Sequence, residues 1–268
     1  MKIFKAKLAI IIFTLLCTTT LCAQRYQRYP IKSNMFGIMG GVFLTSNPEM
    51  DGYNTKKNYV DGGGGFVYDY RNEVNENYSF ELITSVMLAS CSTSTTEEGE
   101  SKLKFYWPIE ARWYIGNEDF KFFVGAGIQW NFIWALKESE EYNYYGDYDL
   151  ESHASAHQLS GNGSIGISLF GMSSPVHLIL GAKFHFPIVN NAEGVEYSEG
   201  SKIDFSKDKT CVSATAGVAF NLGRTTTLML NYDCPLGNNM QTSVETGDSR
   251  NFFQRRSQSL TGSLMWRF

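Results

Sequence analysis

His185, Asp233, Asp147 and Asp149 are the side chains whose types could do chemistry together, provided the fold lets them meet. An imidazole beside carboxylates is the equipment of general acid–base hydrolysis, the ring moving a proton while an acid orients it. Their order in the chain fits no hydrolytic motif, so the expectation is structural: a histidine satisfied by neighbours and acids solvated in a loop. His153, His157 and His177 have no metal-ligand spacing among themselves. No metal and no cofactor is expected.

One segment imitates a cofactor site. Gly161-Asn162-Gly163-Ser164-Ile165-Gly166 matches the dinucleotide fingerprint letter for letter. The fingerprint works only where a strand turns into a helix, with an acid about 20 residues on. Here alternation continues through Ile167 and Leu169, and position 186 is Phe. Close packing of neighbouring strands accounts for these glycines.

The segment 138–151, ESEEYNYYGDYDLE, combines six acids with four tyrosines. Tyr142, Tyr144, Tyr145, Asp147, Tyr148 and Asp149 could offer rigid contact area and charge to a protein, a glycan or calcium. The plainer reading is a solvated acidic cap. Cys17 and Cys22 lie near the N-terminus, and Cys91, Cys211 and Cys234 remain, an odd number. By parity Cys211 and Cys234 fall on opposite faces, so Cys91 with Cys211 is the more reasonable pair, and neither pairing is expected.

The elements that must position these groups follow a period of two. The final strand places Leu260, Gly262, Leu264, Trp266 and Phe268 on one face and Thr261, Ser263, Met265 and Arg267 on the other. Alternation of this kind recurs ten times, in segments of about 10 residues. The weakest is the second, where Gly62 to Gly65 precede Phe66, Tyr68 and Tyr70. The connections alternate: 71–77, 116–119, 171–175 and 223–225 are short, whereas 47–58, 91–101, 137–152, 190–209 and 237–253 are long and polar. This predicts an all-β fold, a single transmembrane antiparallel up-and-down barrel of about ten strands, with eight or twelve also possible. A soluble barrel would need a polar outside.

The faces opposite the apolar ones predict the lumen. Asp69, Glu81, Glu110, Arg112, Lys121 and Arg267 fall in its lower half, and Lys104, Lys183, His185 and Asp233 in its outer half, with Gln129 and Asn131. Three acids against three bases predict a neutral network, because unpaired charge in so narrow a space is costly. Eight strands are just filled by side chains, so a plugged lumen is expected. Pro108, at membrane depth in the fourth strand, should lose a ladder bond unless a bulge accommodates it.

Residues 1–23 read as a secretory leader, with Lys2, Lys5 and Lys7 before the apolar run 8–16 and a small-residue end at Ala23. Residues 24–35 then form a periplasmic arm and 36–268 the barrel. The net charge of −4 becomes −7 when the three leader lysines are removed, and no basic stripe suggests nucleic acid. No stretch after the leader approaches the roughly 18 apolar residues of a spanning helix.

The leader ending in Ala23-Gln24, the alternating strands and the terminal Leu264-Met265-Trp266-Arg267-Phe268 together resemble small outer-membrane β-barrel proteins of Gram-negative bacteria, especially the porin-like barrels of Bacteroidota. The rhythm of short and long connections places both termini in the periplasm, and the resemblance implies that outer-membrane lipid and lipopolysaccharide surround the barrel. It also implies that the barrel assembly machinery reads Leu264, Trp266 and Phe268. It assigns no catalytic residue. Three functions are compatible: a structural, adhesive or secretion-associated protein acting through long loops; a narrow channel for ions or small solutes; and a surface hydrolase of omptin or lipid-modifying type. Spacing that resembles the omptin motifs is missing, and the first function is the one expected.

Overall fold

The computed structural model describes residues 31–46, 58–90, 102–117, 119–135, 155–171, 174–192, 195–196, 201–203, 207–222, 225–246 and 249–268. The strands are β1 (Ile31–Ser46), β2 (Asn58–Glu73), β3 (Tyr78–Ser90), β4 (Lys102–Gly116), β5 (Phe120–Ala135), β6 (Ser155–Leu169) and β7 (Val176–Ala192). Then come the short β8 (Val195–Glu196), β9 (Ser201–Ile203) and β10 (Lys207–Asp208). The chain finishes with β11 (Cys211–Leu222), β12 (Thr226–Pro235), β13 (Met240–Thr246) and β14 (Ser249–Arg267).

β1 to β7, β11, β12 and β14 pair in that order, every neighbour antiparallel, and β14 returns to β1 through Met35↔Arg267 to Ser46↔Arg256. Ten strands therefore close, and the terminal strand is the seam. β1 begins at Ile31, earlier than the expected 36, because Ile31 still pairs with Glu73. At the long-loop end β14 outruns the ring. Its residues 249–255 pair with β13, which also carries β9 and then β8, so a small second sheet stands on the rim.

The pleat decides which residues face out. Phe36, Ile38, Phe66, Trp113, Phe122, Val124, Ile165, Phe184, Leu260 and Trp266 are all exposed on the outer surface. An apolar belt of this extent is unfavourable in water, at about 25 cal/mol per Å², and is favourable against hydrocarbon. Phe36 stacks on Phe66 at 5.8 Å, and Phe105, Trp107 and Trp130 form a cluster with centroids 5.8 and 6.2 Å apart.

The short turns are locally encoded. Asn75 Oδ1 accepts from the amides of Asn77 and Tyr78 at 2.9 Å, and Asn117 Oδ1 accepts from Asp119 and Phe120 at 3.1 and 2.8 Å. An asparagine side chain that imitates the backbone is what makes such a tight return possible. Phe170, with φ 70°, and Gly171, with φ 63°, turn the chain between β6 and β7.

Pro108 costs the ladder a bond, the first of the two expected outcomes. The β3–β4 register is the same on both sides of it, Thr84↔Ile109 and Met87↔Tyr106, so the ladder opens without a bulge. The bulge lies elsewhere, where Leu159↔Val189 is followed by Ser160↔Pro187 and Ile188 is left over. That second proline, in β7, carries the shift.

Candidate functional site

The lumen is filled in layers. Nearest the short-turn end, Arg71 Nη2 meets Asp69 Oδ2 at 2.8 Å and Arg71 Nε meets Glu81 Oε1 at 3.2 Å. Tyr114 Oη donates to Glu81 Oε2 at 2.6 Å, and Arg112 Nη1 stands 3.6 Å from the same oxygen. Lys121 Nζ donates to Ser79 Oγ. Arg267 lies in the field of Arg71, Glu73 and Asp69. Asp69, Arg71, Glu81 and Lys121 are all buried.

Asp69, Glu81, Glu110 and Arg112, assigned to the lumen face by parity, stand in ion pairs there, and two further lumen residues have no counterpart in the sequence reading. The short connection 71–77 read from the sequence takes Arg71 and Glu73 into a turn, whereas β2 runs to Glu73 and keeps both on the lumen face with Asp69. Period two from Asp69 was the signal that could have found them. With them the layer holds Asp69, Glu73, Glu81 and Glu110 against Arg71, Arg112, Lys121 and Arg267, and stays neutral. Burying so many charges is tolerable only when each has an opposite neighbour.

Immediately above lies an apolar layer. Met35, Val67, Phe123, Ile179, Met229 and Met265 are buried and in mutual contact, each one lumen-facing step further along its strand. Arg112 passes beside it, its guanidinium 5.6 Å from the Phe123 ring. Below, Ser168 Oγ and His177 Nε2 are 2.7 Å apart, with exposures of 1% and 0%. The pair is sealed among the described residues.

Above the apolar layer the lumen opens into a chamber of about 140 Å³, continued toward the long-loop end by a second of about 110 Å³. Phe43, Tyr106, Lys183, Asp233 and Ser259 line both. The Phe43 and Tyr106 rings meet edge-on at 6.5 Å between them. Lys183 was expected in the outer half alone. Its long stem instead carries the ammonium down to Glu110 Oε2 at 3.5 Å, and Glu110 Oε1 also takes Arg112 Nε and the Ser164 hydroxyl, each at 2.7 Å.

A strap crosses the outer mouth. β10 pairs with Met240 and Gln241 of β13 and turns Asp208 into the barrel. Asp208 Oδ2 accepts from Asn131 Nδ2 at 3.1 Å and lies 3.5 Å from His185 Nε2, and its carbonyl accepts from Asn190 Nδ2 at 3.2 Å. Gln129 ties Asn131 to the Tyr106 hydroxyl, at 3.3 and 3.1 Å. His185 Nδ1 faces Asn162 Oδ1 at 2.7 Å. Lys104 lines the same chamber.

The carboxylate beside His185 is therefore Asp208, which the sequence did not single out, rather than Asp233. A two-residue strand inside a long polar connection leaves no periodic trace, and that is why Asp208 was missed. Asp147 and Asp149 lie outside the described residues, as do Tyr142, Tyr144, Tyr145 and Tyr148 and the whole of 1–30. Cys211 and Cys234 are free thiols; Cys211 lines the outer chamber, and Cys234 Sγ accepts from Arg256 Nη2 at 2.9 Å. Trp266 and Phe268 are exposed on the outer surface of the seam, and Leu264 pairs with Ile38 beside them. Among the described residues no cluster of His, Cys, Asp and Glu could hold a metal ion.

No protein-family model and no curated protein sequence matches the chain. Among solved structures it is similar to the transport unit of the autotransporter AIDA-I from Escherichia coli, with TM-score 0.45, 11% identity and 96% of each chain covered. It is likewise similar to the translocator domain of NalP from Neisseria meningitidis, with TM-score 0.44, 9% identity, and 98% and 97% covered. The outer membrane protease OmpT from Escherichia coli gives TM-score 0.41 and 10% identity, with 91% and 99% covered. Likeness at this level carries no argument about function.

Proposed function

We propose that the chain is an integral outer-membrane barrel with both termini periplasmic, and that it acts through its external face as a structural, adhesive or secretion-associated protein. The observation that carries this reading is double closure of the lumen. One end is filled by the apolar layer and the paired charges, and the other is crossed by the strap that Asp208 holds. Among the described residues the lower half of the interior is packed with side chains, as a barrel this narrow allows. The belt of exposed aromatic and aliphatic residues supports the membrane setting, and the short-turn and long-loop ends support the orientation.

Partners follow from that setting: lipid and lipopolysaccharide around the belt, the barrel assembly machinery at Leu264, Trp266 and Phe268, and a protein or glycan at the long connections. The rim sheet of β13, β9 and β8 extends the surface available to such a partner. Turnover is not part of the reading. His185 is held by Asn162 and Asp208, and the Ser168–His177 pair is sealed.

Planar-bilayer recording of the refolded barrel tests it. The expected result is no steady conductance. Steady conductance that shifts when Lys104 or Glu110 is neutralised would replace this reading with a narrow channel.

A further inference from the structure

The double closure leaves a chamber whose polar groups are not all used. The Asp233 side chain on β12 lies in the field of Lys183 but makes no hydrogen bond and no ion pair among the described residues. Lys183 on β7 has only the 3.5 Å contact with Glu110. Both line the two joined cavities, from strands that flank β11, whose lumen residues between them, Ser213 and Thr215, are small. The carboxylate and the ammonium therefore address one space without meeting each other. A charge turned into a narrow cavity with no partner is unfavourable until something in the cavity pairs with it.

The chamber limits what that something is. Asp69, which also lines it, is paired with Arg71, and in the outer cavity Asp208 stands against Lys104. Glu110 and Asp233 then balance Arg112 and Lys183, so a solute with net charge of either sign would break neutrality, whereas a zwitterion preserves it. The floor, formed by Ile179, Met229 and Met265, is apolar, and Phe43 and Tyr106 stand above it. About 140 Å³ is roughly ten times the 10–15 Å³ that one ordered water requires. Asn231 adds an amide, drawn in over Gly217, where a Cβ would stand 2.6 Å from its Oδ1.

We propose that this chamber is a binding site for a small apolar α-amino acid, taken as its zwitterion, with the ammonium on Asp233, the carboxylate on Lys183 and the side chain on the Ile179–Met229–Met265 floor. Two charge pairs at fixed separation, with an apolar surface beneath them, select such a molecule over an amine or an acid alone. The site goes beyond the closed-lumen reading and does not depend on conductance.

The test is binding by the full-length refolded barrel in detergent micelles. Probes are radiolabelled alanine, valine, leucine, methionine and phenylalanine, with isoamylamine and 4-methylpentanoate as the amine-only and acid-only analogues of leucine. The expected result is saturable binding of at least one amino acid, at least tenfold weaker binding of both analogues, and at least tenfold loss in Asp233→Asn and in Lys183→Met. Heat-modifiable gel mobility establishes that the variants are folded; where one is not, the analogue comparison in the unaltered protein decides. No saturable binding of any amino acid overturns the proposal, as do analogues that bind as tightly as leucine. A conductance result bears on the proposed function and leaves this site untouched.

Discussion

Arg71 and Glu81 stand directly opposite each other across the β2–β3 ladder, and their Nε–Oε1 distance of 3.2 Å is the centre of the buried charge layer. Directly opposed pairs on one face are the closest neighbours a sheet offers, which is why a single arginine serves both Glu81 and Asp69. Arg71→Met removes the cation and leaves two buried acids facing one another. Loss of one partner of a buried pair costs about 3–5 kcal/mol. The expected outcome is a clearly lower urea midpoint for refolded barrel, followed by gel mobility. An unchanged midpoint would show that Arg71 is not needed to hold the acids.

The four glycines before Phe66 are of two kinds. A Cβ on Gly65 would collide with the Val86 carbonyl, and one on Gly63 would stand 2.5 Å from the Leu88 carbonyl. On Gly64 the nearest atom would be 3.5 Å away and on Gly62 3.8 Å, both ordinary contacts. Gly64→Ala should therefore stay within about 0.5 kcal/mol of the parent, and Gly65→Ala should cost about 1–3 kcal/mol as the strands are forced apart. Equal losses in the same denaturation assay would contradict the assignment of inner and outer faces.

Those glycines also show where sequence reasoning stops. Alternation is visible wherever side chains alternate, so nine strands and the seam were legible from Phe36 to Phe268. Between Gly62 and Gly65 there is no side chain to alternate, and strand count stayed open between eight and twelve. Lumen membership was legible by parity for Glu81, Glu110, Arg112 and Lys121. Parity fixes a Cα but not the reach of a four-carbon stem, and so the contact of Lys183 with Glu110 was not legible. Which carboxylate meets His185 depended on the tertiary return of β10, which no local pattern encodes.

Asp208 makes the strap sensitive to acid. Burial pushes its carboxyl up, but the hydrogen bond from His185, the charge of Lys104 and the Asn131 amide outweigh burial and hold it below the usual carboxylate range. The groups facing it are His185 from β7 and Lys104 from β4, with Cys211 of β11 and Tyr106 of β4 beside them. A depressed carboxylate contributes stability that is full above its unfolded value and is lost as pH falls through the folded one. The strap should hold from neutral pH down to about pH 4, the ordinary carboxylate range, and loosen only below it. Hydrogen exchange at the Lys209 amide, which donates to the Asn239 carbonyl at 2.9 Å, reports this once intrinsic rates are divided out. Asp208→Asn should expose that amide at pH 7; protection equal to the parent would mean the strap is held by β10–β13 pairing alone.

Pro108 lacks the amide that its place in the β3–β4 ladder calls for, and two side chains fill the gap. Thr84 Oγ1 donates to the Pro108 carbonyl at 3.1 Å, and Trp107 Nε1 donates to the same hydroxyl at 3.0 Å. In hydrocarbon a carbonyl left without a donor is more costly than in water, so this relay stabilises an open rung on the lipid side. Thr84→Val keeps the shape and removes the donor, and should cost about 1–2 kcal/mol. Pro108→Ala restores a backbone N–H, letting the ladder close over the same rung. The two changes share one carbonyl and should not be additive. Thr84→Val should therefore cost less in the Pro108→Ala background than in the parent. Strict additivity would mean that Thr84 and Pro108 act independently, and that the open rung is stabilised by the β4–β5 side alone.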